Sequence, residues 1–153
     1  MKKLYFYFFL RVCICITLLS FSCKEISKPK QTQSANAFDS LLTPISEIHA
    51  AYANHVSDIV VTVKGKITKI LSDDTAGDYH QRFIIQLSNL QTILITHNID
   101  IAPRVVGIIV GSVVYVHGDY VWNSQGGLVH WTHHDPDGLH ENGWIVFGNI
   151  KYQ

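Results

Sequence analysis

From Ile59 to the C-terminus the chain alternates apolar and polar residues, interrupted at short intervals by turn sequences. Side chains on a strand point to opposite faces in turn, so this period of two belongs to half-buried strands and to little else. "IVVTVKGKITKIL" (59–71) sets Val61, Val63, Gly65, Ile67 and Lys69 on one face. A glycine inside so long a strand marks a bulge, a bend or a close approach. "SDDTAGDYH" (72–80) is a loop, and "QRFIIQLS" (81–88) and "TILITHN" (92–98) flank the tight connection "NLQ" as a hairpin. "IDIAPRVVGIIVG" (99–111) reads as a crossover with one short helical turn, and "SVVYVHGDYVWN" (112–123) as a further strand. "SQGG" turns the chain, "LVHWTHH" (128–134) pairs back, "DPDG" (135–138) turns it again and "GWIVFGNIKYQ" (143–153) closes the domain. Five or six strands, one crossover and no alternation with helices predict a mainly β fold, a small antiparallel OB-like barrel. An open sandwich is the alternative.

Upstream, "TPISEIHAAYANHVSD" (43–58) carries a helix start, with Thr43 as cap, Pro44 in the first turn and Glu47 near the N-terminus. Ile45, Ile48, Ala51, Tyr52 and Val56 recur at helical spacing, which predicts one short amphipathic helix with His49 and His55 at its surface. Residues 24–43 are polar and read as a flexible tether. Residues 1–22 have the charge, apolar run and small-residue end of an export signal. "LLSFSC" resembles a bacterial lipobox, which makes Cys23 the expected lipidation site, the membrane the expected partner, and the periplasm or outer membrane the expected location; cleavage by ordinary signal peptidase, or an uncleaved membrane-spanning leader, is the alternative. The folded unit is then one domain, 44–153.

All three cysteines, Cys13, Cys15 and Cys23, lie in this leader. The body therefore has no disulfide framework, no thiolate metal ligand and no cysteine nucleophile. The chain balances 12 Lys+Arg against 12 Asp+Glu. Removing residues 1–22 takes Lys2, Lys3 and Arg11, leaving 9 basic against 12 acidic residues, a net −3. That balance lacks the basic footprint of a sequence-independent nucleic-acid binder. Histidine is the unusual component: there are nine, and seven of them lie at or beyond His80.

"HWTHHDP" (130–136) is the densest cluster of chemistry-bearing residues. On a plain strand His130, Thr132 and His134 share one face, and Trp131 and His133 take the other. His130 and His134 would then stand about 13 Å apart. A single zinc, with Zn–N bonds of about 2.0–2.1 Å, cannot span that distance. A metal centre needs the chain to bend near His133, with His130, His133, His134, Asp135 and His140 as candidate ligands and one divalent transition metal, zinc favoured, as the cofactor. Alternatively Asp135 bonds nearby amides in a turn, His130 is a satisfied half-buried histidine, and Trp122, Trp131 and Trp144 are core plates.

A second constellation joins "DDTAGDYHQRF" to "THNIDIAPR". His80, Arg82, His97, Asn98, Asp100 and Arg104, with Asp73, Asp74 and Asp78, fall at strand ends and loops, where a rigid scaffold commonly carries function. Arg82 could grip a phosphate or carboxylate, or it could pair with the neighbouring acids.

"DYHQRFIIQL", "THNIDIAPRV", "GDYVWNSQGGLVHWTHHDPDG" and the closing "GWI…G…YQ" resemble a family of short exported bacterial proteins known as domain of unknown function 3465. The resemblance covers about residues 58 to 153, and "VVGIIVGSVVYVHGDY" is more apolar than the family pattern. It implies a domain boundary and a shared role for these motifs, and it brings no activity. The expected function is a monomeric, lipid-anchored binding domain that holds a metal ion or a small anionic ligand. A metal-dependent phosphodiester hydrolase and an envelope protein-interaction module are the alternatives.

Overall fold

The computed structural model describes residues 37–153. The leader, Cys23 and the tether up to residue 36 lie outside the described residues. Helix α1 spans Ile45–Ala53, and seven strands follow: β1 (Ile59–Ile70), β2 (His80–Gln86), β3 (Thr92–Asn98), β4 (Val113–Val121), β5 (Leu128–His130), β6 (Trp144–Phe147) and β7 (Ile150–Tyr152). Residues 99–112 cross between β3 and β4 in turns, without the expected helical turn.

The sheet closes on itself in the order β1-β2-β3-β5-β4, with β4 returning to pair with β1. This is a five-stranded OB-like barrel, and closure removes its free edges. It is mixed rather than purely antiparallel, because β3 and β5 run parallel, with Leu94 opposite Leu128 and Ile95 opposite Val129. The count of seven exceeds the expected five or six because the closing segment folds as a hairpin. It places β6 and β7 beyond β4 and turns at Gly148, whose φ is 63°.

The alternation in the sequence becomes the barrel interior. Every second residue of β2 and β3 is buried. Val61, Val63 and Ile67 meet Phe83, Ile85, Ile93, Ile95, Val116, Tyr120, Val129 and Ile145 in one core, and Ile48 of α1 packs onto it. Each such aliphatic side chain contributes about 1.5–3 kcal/mol when fully buried. Gly65 is required by a close approach, since a Cβ there would stand 2.8 Å from the Cβ of Ile85. The bulge lies three residues later: the β1–β2 register slips between Ile67 and Lys69, so Lys69 is exposed instead of sharing the inner face.

Thr43 does not cap the helix. Pro44 occupies the N-cap without a side-chain bond. Thr43 instead extends the sheet, accepting from the Thr62 amide at its Oγ1 and donating its own amide to Thr62 O, both at 2.9 Å. The preceding residues also pack: Phe38 and Leu42 lie on an outer-face cluster of Tyr115, Trp144 and Val146, and Asp39 pairs with Lys64 at 2.9 Å. The tryptophans are not barrel plates. Trp144 belongs to this outer cluster, Trp122 packs at the margin of the core beside His55, and Trp131 is half-buried. Tyr120 and Phe83 fill the interior instead.

Candidate functional site

Strand β5 stops at His130 because Trp131 adopts the left-handed conformation, φ 50°. The chain then leaves the sheet and returns at Trp144, and two glycines allow the passage. A Cβ on Gly118 of β4 would lie 2.2 Å from the His130 carbonyl oxygen, and one on Gly143 would lie 1.7 Å from that of Trp131. The Gly143 amide donates to His133 O at 2.9 Å. Strand alternation therefore ends at residue 130, and Thr132 and His133 are both buried.

Asp135 anchors the excursion. Its carboxylate accepts from the amides of Asp137 (3.0 Å), Leu139 (2.5 Å) and His140 (2.7 Å). These bonds, that from His140 foremost, hold its pKa below the usual carboxylate value. His134 is exposed. His140 stacks on Trp131 with ring centres 4.2 Å apart. The five candidate metal ligands are thus divided among separate tasks. Among the described residues no three His, Cys, Asp or Glu side chains are grouped as a metal ion would need.

His130 and His133 do come together with a residue of the second constellation. They and His80 line one cleft of about 350 Å³. Thr96 and Asn98 of β3 and the Trp131 ring line it too, with Asp78 and Ile101 from adjoining loops. The three histidines come from the start of β2, the end of β5 and the segment beyond it. His80 Nδ1 lies 2.8 Å from Asp78 O, and His133 Nδ1 lies 2.9 Å from His134 O. A carbonyl only accepts, so both rings carry their proton on Nδ1 and, when neutral, an open lone pair on Nε2. His130 stands edge-on to Trp131. Burial pushes its pKa down; Asp119 and Asp58 oppose that shift, and His80 and His133 add to it.

The remaining candidates hold the frame. His97 is completely buried, with Nδ1 2.9 Å from Thr132 Oγ1 and Nε2 3.0 Å from Pro103 O. Arg82 donates to Ser72 O (3.1 Å) and pairs with Asp74 (3.5 Å), and Arg104 pairs with Asp73. Both guanidiniums thereby staple the β1–β2 loop, and neither lines the cleft. Asp100 accepts the Tyr79 amide at 2.7 Å, and Asn98 accepts that of Asp100 at 2.9 Å.

Sequence reasoning passed over His117. Its Nδ1 meets Thr62 Oγ1 at 2.8 Å and its Nε2 meets Glu141 at 3.1 Å. Thr62 and His117 are directly opposed across β1 and β4, a register that no local pattern announces. Thr62 is 5% exposed, which leaves its hydroxyl little access as a nucleophile. A second hollow of about 470 Å³ lies among α1, the β2–β3 turn and the β4–β5 turn. Tyr52, Asn89, Gln91, Ser124 and Gln125 line it, neutral hydrogen-bonding groups with His49 as the one titratable imidazole. The smaller cleft is the better candidate because three imidazoles share it.

No curated protein matches the chain. A family model described as a protein of unknown function, DUF3465, matches residues 33–153, a span that takes in the whole barrel and the excursion that builds the cleft. The chain therefore belongs to the DUF3465 family of proteins of unknown function.

Proposed function

We propose that this protein is an exported small-ligand-binding module, held at the envelope through lipid on Cys23, whose barrel takes a small anion into the cleft of His80, His130 and His133. The observation that carries this reading is the convergence of three imidazoles from three separate segments on one cleft walled by Trp131. The groups are spread around about 350 Å³ rather than gathered to a point. That arrangement suits a ligand of several atoms. A bare metal ion would instead need its donors brought to about 2 Å from one centre.

Protonation decides the sign of the cleft. Neutral His80 and His133 present lone pairs, while their protonated forms present Nε2–H donors to an anion. Asp78 lines the same cleft, and Asp58 and Asp119 act on His130, so the imidazolium charges outweigh the local acids only when several rings are protonated. Anion affinity should therefore be higher at acidic than at alkaline pH. Phosphate and benzoate titrations of the solubilised full chain, followed by tryptophan fluorescence, should give at least about tenfold tighter binding near pH 5.5 than near pH 8. The double variant His130→Ala, His133→Ala should lose that binding. Equal affinity in variant and parent would overturn the reading, and one zinc bound per chain with no anion response would replace it with the metal alternative.

The anchor has its own test. Cys23→Ser should shift the protein from the membrane to the soluble fraction. Full retention in the membrane would point to an uncleaved apolar leader.

A further inference from the structure

The β3–β4 crossover leaves an unusual surface at one end of the barrel. Val106 is 60% exposed, Ile109 68% and Val110 61%, and Ile150 (57%) and Val113 (48%) extend the same apolar region. The residues are neighbours. Gly107 lies against the Phe147 ring, Phe147 pairs with Ile150, and the turn at 109–112 is bonded back to Ile67 of β1. Single exposed aliphatics are ordinary, but a cluster on one loop and the adjoining strand ends marks an interaction site.

The geometry points to this face as a docking surface for an anionic phospholipid bilayer. Two features select lipid over protein. No Asp or Glu occurs between residues 101 and 118, whereas Lys66 stands exposed beside the patch, opposite Val113 and next to Gly111, and the exposed Lys151 follows Ile150 on β7. Aliphatic side chains bordered by lysines suit the headgroup–acyl boundary of an anionic membrane. A second copy on the same face would bring like charges together.

The second feature is where the chain outside the described residues begins. Phe38 packs on Tyr115, and Asp39 bonds both Tyr115 and Lys64. Tyr115 is two residues from Val113 on the same strand face, and Lys64 is two residues from Lys66. The N-terminal chain therefore leaves the barrel beside the lysine-bordered edge of the patch. Cys23, the lipid anchor proposed above, lies 15 residues before Phe38 in that chain, and this step rests on that reading.

The test uses the full chain reconstituted in phosphatidylglycerol vesicles and, separately, in phosphatidylcholine vesicles, with amide hydrogen exchange read along the chain. The Cys23 lipid proposed above holds the protein to both membranes, so a difference at residues 105–113 reports the patch alone. Exchange there should be at least about tenfold slower in the anionic vesicles. The variant Ile109→Asp, Val110→Asp, altering two exposed side chains, should restore fast exchange without changing that of β2 and β3, which monitors folding. Equal exchange in the two lipids, or protection that survives the double variant, overturns the proposal. Protection that fades when protein is diluted at constant lipid composition also overturns it, and assigns the patch to a second copy.

Discussion

Replacing His97 with alanine should lower folding stability by about 3–5 kcal/mol. The ring is fully buried where three segments meet, bonding Thr132 after β5 and Pro103 in the crossover from its place on β3. Alanine leaves a cavity and strips both partners of their bond. Because Pro103 O only accepts, Nε2 must carry the proton, and Nδ1 then accepts from the Thr132 hydroxyl. This arrangement is complete only for a neutral ring, and burial accordingly pushes the His97 pKa below its usual value of 6.5. The unfolded chain binds a proton at that ordinary pKa while the folded chain resists it. His97 therefore stabilises the fold above about pH 6.5, and its contribution is lost as pH falls through the lower folded-state value. His130, shifted the same way, adds to this slope. Urea denaturation at several pH values should show the parent losing stability on acidification, by up to about 1.4 kcal/mol per pH unit for each such histidine. His97→Ala should be both less stable and less pH-dependent. His97→Gln, which can remake one of the two bonds, should recover part of the stability. If both variants unfold within about 1 kcal/mol of the parent at neutral pH, His97 is not the tie described.

The barrel was legible because period-two alternation is a local signal. Val61, Val63, Phe83, Ile85, Ile93 and Ile95 fall inside for the reason their spacing announces. The β2–β3 hairpin likewise follows from a tight turn between two alternating runs. The parallel β3–β5 pairing was not legible, since it joins residues 34 positions apart and depends on how the barrel closes. Lys69 went to the wrong face for a subtler reason: the visible glycine and the actual bulge are different positions, and a bulge at Thr68 leaves no compositional mark.

The site divides along the same line. The sequence pointed to "HWTHHDP" and to His80, and it located the turn at Asp135, because these are matters of composition and local turn chemistry. It extended a strand through Trp131, where a left-handed residue breaks it, and so misassigned the faces of the residues that follow. Arg82 and Arg104 were attractive as anion clamps only while their partners were unknown. Asp74, eight residues before Arg82, and Asp73, 31 residues before Arg104, take them. His97 is the clearest case of ambiguity: a histidine at a strand end is equally consistent with a ligand and with a buried tie, and only its neighbours decide.

Gly143→Ala should be nearly as damaging, and it tests the geometry of the cleft itself. The added methyl carbon would lie 1.7 Å from Trp131 O, 2.7 Å from the Trp131 carbonyl carbon and 2.8 Å from Thr132 Cα. All three are backbone atoms, so no side-chain rotation relieves the overlap. Either the entry to β6 or the strand break at Trp131 must move. Overpacking of this kind costs about 3 kcal/mol or more, which for a domain of this size lowers the melting temperature by at least about 10 °C. Gly138→Ala is the matched control: its φ is 67°, yet nothing lies within 4 Å of the new carbon, so only the left-handed backbone penalty of about 1 kcal/mol remains. The two variants should therefore separate clearly in a thermal melt. They should separate again in anion binding, because the displaced segment carries Trp131 and His133, and Gly143 bonds His133 O directly. Should Gly143→Ala melt alongside Gly138→Ala and bind anions like the parent, the excursion has slack, and the cleft cannot owe its shape to the passage of Trp131 between two glycines.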